Sequence, residues 1–414
     1  MYKIQIYFLH NIQYILLAIS LVAGAIAPLK YGMHIYIVGL IFMLYYNIKN
    51  KNSNWYIGRY FILFLIACLL SCIASNSINY RLFAFMAIVI SFTPITISGK
   101  LFLFRKRYLK HCLMIFPLLS IISLFCYIYG INYYEAIGNK LDFSAIFPHP
   151  MWMGAAIGLS NIVTLWLLFS AKKRIIQTLY FTILLLSIYI TVASGSRSAL
   201  FASLAAMSLF LIIKLRKVKT IILAGCIITI IVSILLPIYM IGAKRMISKF
   251  DNSKGAYGSR TELFTTGIKH FKETPFLGTG FAVSYNTLGE KKIGRMESGS
   301  GWLSILFQTG FVGMSIMCII LSRIFKVFKY IRKDNELLLF LIAFIYLCLH
   351  SFFEGYILTI GYYPCILFWC LLGYLYTYPY YIKWKNNLIL KQKKIRNKFI
   401  GYSINPPFIN EEQL

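Results

Sequence analysis

Residues 243–300 read AKRMISKFDNSKGAYGSRTELFTTGIKHFKETPFLGTGFAVSYNTLGEKKIGRMESGS, and the rest of the chain is read from this stretch outward. It is the longest segment without an apolar run able to cross a bilayer, and such runs flank it on both sides. It also holds a disproportionate share of the few acidic residues, among them Asp251, Glu262, Glu273, Glu290 and Glu297. Reacting groups are expected here, or on short loops that can reach it.

The flanking sequence sets the class. Of 414 residues, 59% are hydrophobic and only 13% are charged. A soluble chain of this length could not cover its surface with so little charge, so the expected fold is an all-α polytopic membrane protein. Apolar runs of about 20 residues fall near 11–29, 32–48, 57–75, 81–98, 111–130, 149–170, 175–193, 198–214, 220–242, 301–321, 337–352 and 356–380. The expected organisation is nine transmembrane helices in 1–242, an extracytoplasmic loop at 243–300, three more helices in 301–380 and a basic tail at 381–414, about twelve helices in all.

The formal net charge of +30 could point to nucleic acid. The distribution argues otherwise, because Lys and Arg cluster in short runs between apolar segments, as the positive-inside rule requires. The runs around 3, 49–59, 100–110, 172–174, 214–219, 323–333 and 383–398 all fall on one side if the helix count is even. That pattern predicts a multi-pass protein with both termini in the cytoplasm and the long loop outside. No nucleic-acid partner is expected. The nine cysteines lack metal-ligand spacing and read as buried thiols. No His/Asp/Glu cluster has ligand spacing either, so neither a metal nor another cofactor is expected.

Within the loop, Ser259-Arg260-Thr261-Glu262 forms a capping box, and Leu263, Phe264, Ile268 and Phe271 follow at helical spacing. An amphipathic helix of about three turns is predicted, ending before Glu273-Thr274-Pro275. The stretch Pro275-Phe276-Leu277-Gly278-Thr279-Gly280-Phe281 then reads as a turn whose N–H groups, around Gly278 and Gly280, could approach an oxyanion closely.

Two arginines stand out: Arg197 in the short polar turn Ser194-Gly195-Ser196-Arg197-Ser198, and Arg260 at the start of the loop helix. An Arg at membrane depth is costly unless it faces a cavity or pairs with an anion, and its planar fork suits a pyrophosphate. The alternatives are that Arg197 snorkels to headgroups and that Arg260 lies on the loop surface. Glu297, just before a membrane helix, is a candidate general base or an ordinary interfacial carboxylate. Glu354 sits on a tight turn on the same side and could pair with an arginine. His149, between Pro148 and Pro150, could orient a sugar or be a plain interfacial residue. His270 is expected on a solvated helix face.

Taken in order, these residues resemble the superfamily of O-antigen ligases and Wzy-type O-antigen polymerases. The matching features are Ser194-Gly195-Ser196-Arg197-Ser198-Ala199-Leu200 at a helix start, Gly258-Ser259-Arg260 opening the loop, and the Pro275–Phe281 element, similar to the family's Pro-Leu-Leu-Gly-x-Gly. Gly301-Trp302-Leu303-Ser304-Ile305-Leu306-Phe307-Gln308-Thr309-Gly310-Phe311-Val312-Gly313 is similar to its following helix, and Phe147-Pro148-His149-Pro150 to an upstream motif. The likeness covers about residues 145–355. It implies an inverting, metal-independent glycosyltransferase acting on undecaprenyl-pyrophosphate-linked oligosaccharide in lipopolysaccharide or other surface polysaccharide biosynthesis. In that picture Arg197 and Arg260 grip the pyrophosphate, while membrane lipids and a chain-length regulator are further partners. Ligases carry a His-Asn pair before the helix at Gly301, whereas this chain has Glu297-Ser298-Gly299-Ser300. The departure favours a repeat-unit polymerase, with Glu297 as base or acceptor-orienting group. The alternatives are an O-antigen ligase acting on lipid A core or protein, and a lipid-linked sugar flippase or other transporter.

Overall fold

A computed structural model describes residues 2–50, 52–53, 55–134, 143–215, 261–285, 291–294 and 299–399. The helices are α1 (Tyr2–Ala23), α2 (Gly32–Lys49), α3 (Trp55–Ala74), α4 (Tyr80–Phe92), α5 (Gly99–Ile128), α6 (Pro150–Ser170), α7 (Arg174–Ala193), α8 (Arg197–Leu215), α9 (Thr261–Glu273), α10 (Gly301–Ile324), α11 (Asn335–His350) and α12 (Tyr363–Phe399). A short 3-10 helix (Phe325–Lys329) and two short antiparallel ladders complete the described elements: β1 (Asn52–Ser53) with β2 (Thr96–Ile97), and β3 (Val283–Tyr285) with β4 (Lys291–Ile293). The protein is a helical, multi-pass membrane protein. A helix occupies each apolar run expected from sequence except 220–242, which lies outside the described residues.

Seven described helices are long and apolar enough to span a bilayer, against the twelve spans expected. The run at 81–98 shows one reason for the difference. Its helix stops at Phe92, because Pro94 disfavours helical geometry at Thr93 and the chain turns into β2. Ser98 then caps α5, accepting the Leu101 N–H at 3.1 Å, so the basic run expected in a loop begins a helix instead.

Arg105 on α5 is only 2% exposed. Its guanidinium donates to the carbonyls of Ser91 (2.5 Å), Thr93 (3.2 Å) and Thr96 (2.7 Å), and to Asn47 Oδ1. These include carbonyls that the end of α4 leaves without helical partners. Burying the cation is costly, and this set of bonds offsets the cost.

The centre of the bundle is α6, which packs against α5, α7, α8 and α11. Small residues set its approach distances. A Cβ at Gly154 would meet Ser196, and one at Gly158 would meet the Tyr346 hydroxyl, which donates to the Ala155 carbonyl at 3.2 Å. Close backbone approach through small residues is the usual way membrane helices associate.

Candidate functional site

The site is built where four helices begin and two end. α7 stops at Ala193, Gly195 reverses the chain in the left-handed region (φ 64°), and α8 starts at Arg197. A cation in the first turn of a helix opposes the macrodipole, so helix formation does not account for Arg197. The residue is half-buried. α6 starts one helix away, with Gly154 against Ser196. α10 starts at Gly301, whose N–H donates to the carbonyls of Ser351 (2.7 Å) and Glu354 (3.0 Å) just past the end of α11. Trp302 Nε1 donates to Cys348 O at 3.0 Å. At the start of α12, Tyr363 donates to the Trp152 carbonyl of α6 at 2.9 Å.

Arg197, His149, Ser300 and Glu354 therefore gather at one end of the bundle, with the N-termini of α6, α8, α10 and α12. Helix N-termini favour negative charge, so this end is electrostatically suited to an anion.

A groove of about 690 Å³ opens beside it. Its wall comes from Phe201 and Ala205 on α8, Phe264 on α9, Leu306 and Met314 on α10, and Phe353 after α11, among others; apart from Ser300 the lining is apolar. Phe201 and Ala205 lie one and two turns beyond Arg197, which puts the groove on the helix that begins with that cation.

His149 is the N-cap of α6: its Nδ1 accepts the Met151 N–H at 3.1 Å, and its ring meets Tyr134 edge-on at 5.1 Å. Glu354 is 5% exposed. Burial first, then Tyr346, Cys348 and Glu354 nearby, push the Tyr356 phenol well above its ordinary value. Arg260 and Glu297 lie outside the described residues. Of the described Cys, His, Asp and Glu, no group is arranged to hold a metal ion.

The turn at Gly278 and Gly280 has a different geometry from an oxyanion cradle. α10 is broken at Gly310 (φ 66°, ψ −170°), and the turn fills the break. Thr279 N–H donates to Phe307 O at 2.8 Å, and Phe311 N–H to Pro275 O at 2.9 Å. Val312 N–H reaches Phe276 O at 3.2 Å. Ala282 N–H donates to Gln308 Oε1 at 2.9 Å, and Ser71 Oγ to Gln308 O at 2.5 Å. Gly278 N–H itself goes to Thr274 O. The glycines serve close packing: a Cβ at Gly278 would strike the backbone of Phe307–Gly310, and one at Gly280 the hydroxyls of Ser75 and Ser77. The N–H groups of Gly278, Thr279, Phe281 and Ala282 are thus taken up within the protein. Non-helical backbone at this depth is tolerated because protein surrounds it.

The amphipathic helix predicted in the loop is α9. Its Phe271 packs on Phe307 and Phe311 of α10, and Gly267 lies against Phe307. Ile268, expected on the same face, is exposed. His270 is not solvated as expected, since its ring stacks on Tyr285 of β3 at 3.6 Å and Nδ1 lies 3.2 Å from Glu273 Oε2. The β3–β4 hairpin that supplies Tyr285 was not anticipated; the alternation in Val283-Ser284-Tyr285 is too short to signal a strand.

Residues 182–318 match the family model described as O-antigen ligase. This stretch is similar to that family. The matched residues include Arg197, α9, the Pro275–Phe281 turn and most of α10, whereas His149 and Glu354 lie outside them. Among curated proteins the chain has no match.

Proposed function

We propose that this protein is a polymerase of lipid-linked polysaccharide repeat units, acting at the outer face of a bacterial inner membrane, with both termini in the cytoplasm. The supporting observation is the register of α8: Arg197 opens the helix at the end where helix N-termini converge, and the apolar groove runs along the same helix. A polyprenyl chain fits such a groove, and a pyrophosphate fits a guanidinium at its mouth. Arg197, joined by Arg260 of the loop, would hold the donor pyrophosphate and stabilise it as it leaves. The acceptor sugar hydroxyl attacks the anomeric carbon, the bond to the pyrophosphate oxygen breaks with inversion, and a carboxylate takes the proton. Glu297 is the loop's candidate for that carboxylate.

A ligase reading has its own support in the description of the matching family. The missing His-Asn pair before Gly301 favours the polymerase. Gel analysis of surface glycan from strains carrying Arg197→Ala or Arg260→Ala tests the proposal. Single repeat units on the acceptor are expected from a polymerase, and accumulation of long lipid-linked chains would mark a ligase. A normal chain-length ladder from both stable variants would refute both.

A further inference from the structure

Glu354 closes the turn after α11, and its carbonyl accepts the Gly301 N–H at 3.0 Å, which fixes the residue to the first turn of α10. Aromatic rings wall it in. His350, one turn earlier and fully buried, lies between Tyr346 (5.5 Å between centroids, 15°) and Tyr356 (5.6 Å, 24°). Tyr356 meets Tyr362 edge-on at 5.9 Å, and Tyr362 stacks on Trp152 of α6 at 4.4 Å.

The hydroxyls of Tyr346, Tyr356 and Tyr362 all lie within electrostatic reach of the Glu354 carboxylate. Each spends its proton on a backbone carbonyl instead: Tyr346 on Ala155, Tyr356 on Leu347 (2.6 Å) and Tyr362 on Met151 (3.2 Å). Phe352 and Phe353, immediately before Glu354, line the groove, as does Ser300, the cap of α10. The carboxylate therefore belongs to a turn shared by the groove and the aromatic wall.

We propose that Glu354 is the general base of the glycosyl transfer, an assignment that rests on the reading above. In the step, the acceptor O–H bond breaks and its proton passes to the Glu354 carboxylate. The oxygen forms the new bond to the anomeric carbon, and the pyrophosphate leaves with the electron pair of the old one. The proton is then released to water. One physical argument favours this carboxylate. A base must be held near hydrogen-bonding distance of the proton it takes, and a turn tied to the ends of two helices is held in place. Tyr346, His350 and Tyr356 act as positioning residues that keep the turn in place.

The experiment uses the full-length protein reconstituted in liposomes, with lipid-linked repeat unit extracted from the deletion strain as the probe. Glu354→Ala is expected to slow single-turnover elongation about 10²–10⁴-fold, the usual worth of a general base. Binding of the lipid-linked probe should stay within a few-fold, and added formate should restore at least tenfold of the lost rate. A residue of purely structural importance would give no formate recovery. Glu354→Asp, which keeps the carboxylate, should retain the wild-type melting temperature and a reduced rate, which covers the case of an unstable alanine variant. Wild-type rates from Glu354→Ala, or formate recovery in Glu297→Ala in place of Glu354→Ala, would overturn the assignment alone. A wild-type protein that elongates nothing would overturn the functional reading beneath it.

Discussion

The side-chain oxygen of Gln308 accepts the backbone N–H of Ala282 at 2.9 Å, joining a membrane helix to the loop that follows the amphipathic α9. Gln308 is buried, and its backbone carbonyl takes a second bond from Ser71 of α3. Gln308→Ala removes the acceptor and leaves a buried N–H unmet, which costs about 1–3 kcal/mol. A lower melting temperature in detergent is expected, with Gln308→Glu retaining part of the loss because an acceptor oxygen remains. Equal melting of Gln308→Ala and wild type would refute the role.

The break in α10 makes a sharper forecast. Gly310 has φ 66°, and a Cβ there would sit on the Phe276 carbonyl. Gly310→Ala combines left-handed strain with a clash against backbone that cannot swing away, so failure to accumulate in the membrane is expected. Gly130 is the control: its φ is 68°, and nothing lies within 4 Å of a Cβ built on it. Gly130→Ala should cost only the backbone strain, about 1 kcal/mol. Similar membrane levels for the two variants would show that the break can close.

These glycines also show where the sequence could be read and where it could not. Gly278 and Gly280 correctly signal backbone held in close approach, because only glycine permits it. What approaches is the broken α10 and the Ser75–Ser77 turn, and spacing within one segment carries no information about a partner distant in sequence. His149 is similar: a histidine between two prolines at a helix start is legible as a boundary, and the structure makes it the cap. The helices were legible because apolar runs of bilayer length have few other fates. The end of α4 at Phe92 was not read, because the apolar run around Thr93-Pro94 masked the proline. Glu354 was visible only as an acidic residue on a turn. Its aromatic wall comes from α6, α11 and the segment leading into α12, and no local pattern announces such a meeting.

Arg197 carries the prediction most specific to chemistry. Its guanidinium offers a planar fork, and lysine offers a point charge of the same sign. Arg197→Lys should keep protein levels and lose about tenfold in elongation rate. Arg197→Ala should lose about 10²–10³-fold, as expected when a preorganised donor to a developing anion is removed. Both follow from elongation assays on lipid-linked repeat unit. Lysine and alanine variants of equal activity would mean that the residue anchors to headgroups and touches no pyrophosphate.

The groove can be tested apart from the charge. Ala205 lines it two turns from Arg197, and the residue is exposed, so a larger side chain enters the groove without displacing core atoms. Ala205→Trp should therefore fold normally and compete with the lipid tail. If the tail occupies the groove, KM for a donor with a full-length polyprenyl chain rises about tenfold or more, whereas a donor shortened to two or three isoprene units is used as well by the variant as by wild type. The contrast between donors matters more than either value. A general defect in the site would slow both, and a tail that lies elsewhere would leave both unchanged. Only blockage of the groove separates them, because hydrophobic binding scales with the apolar area buried and the short donor buries little there.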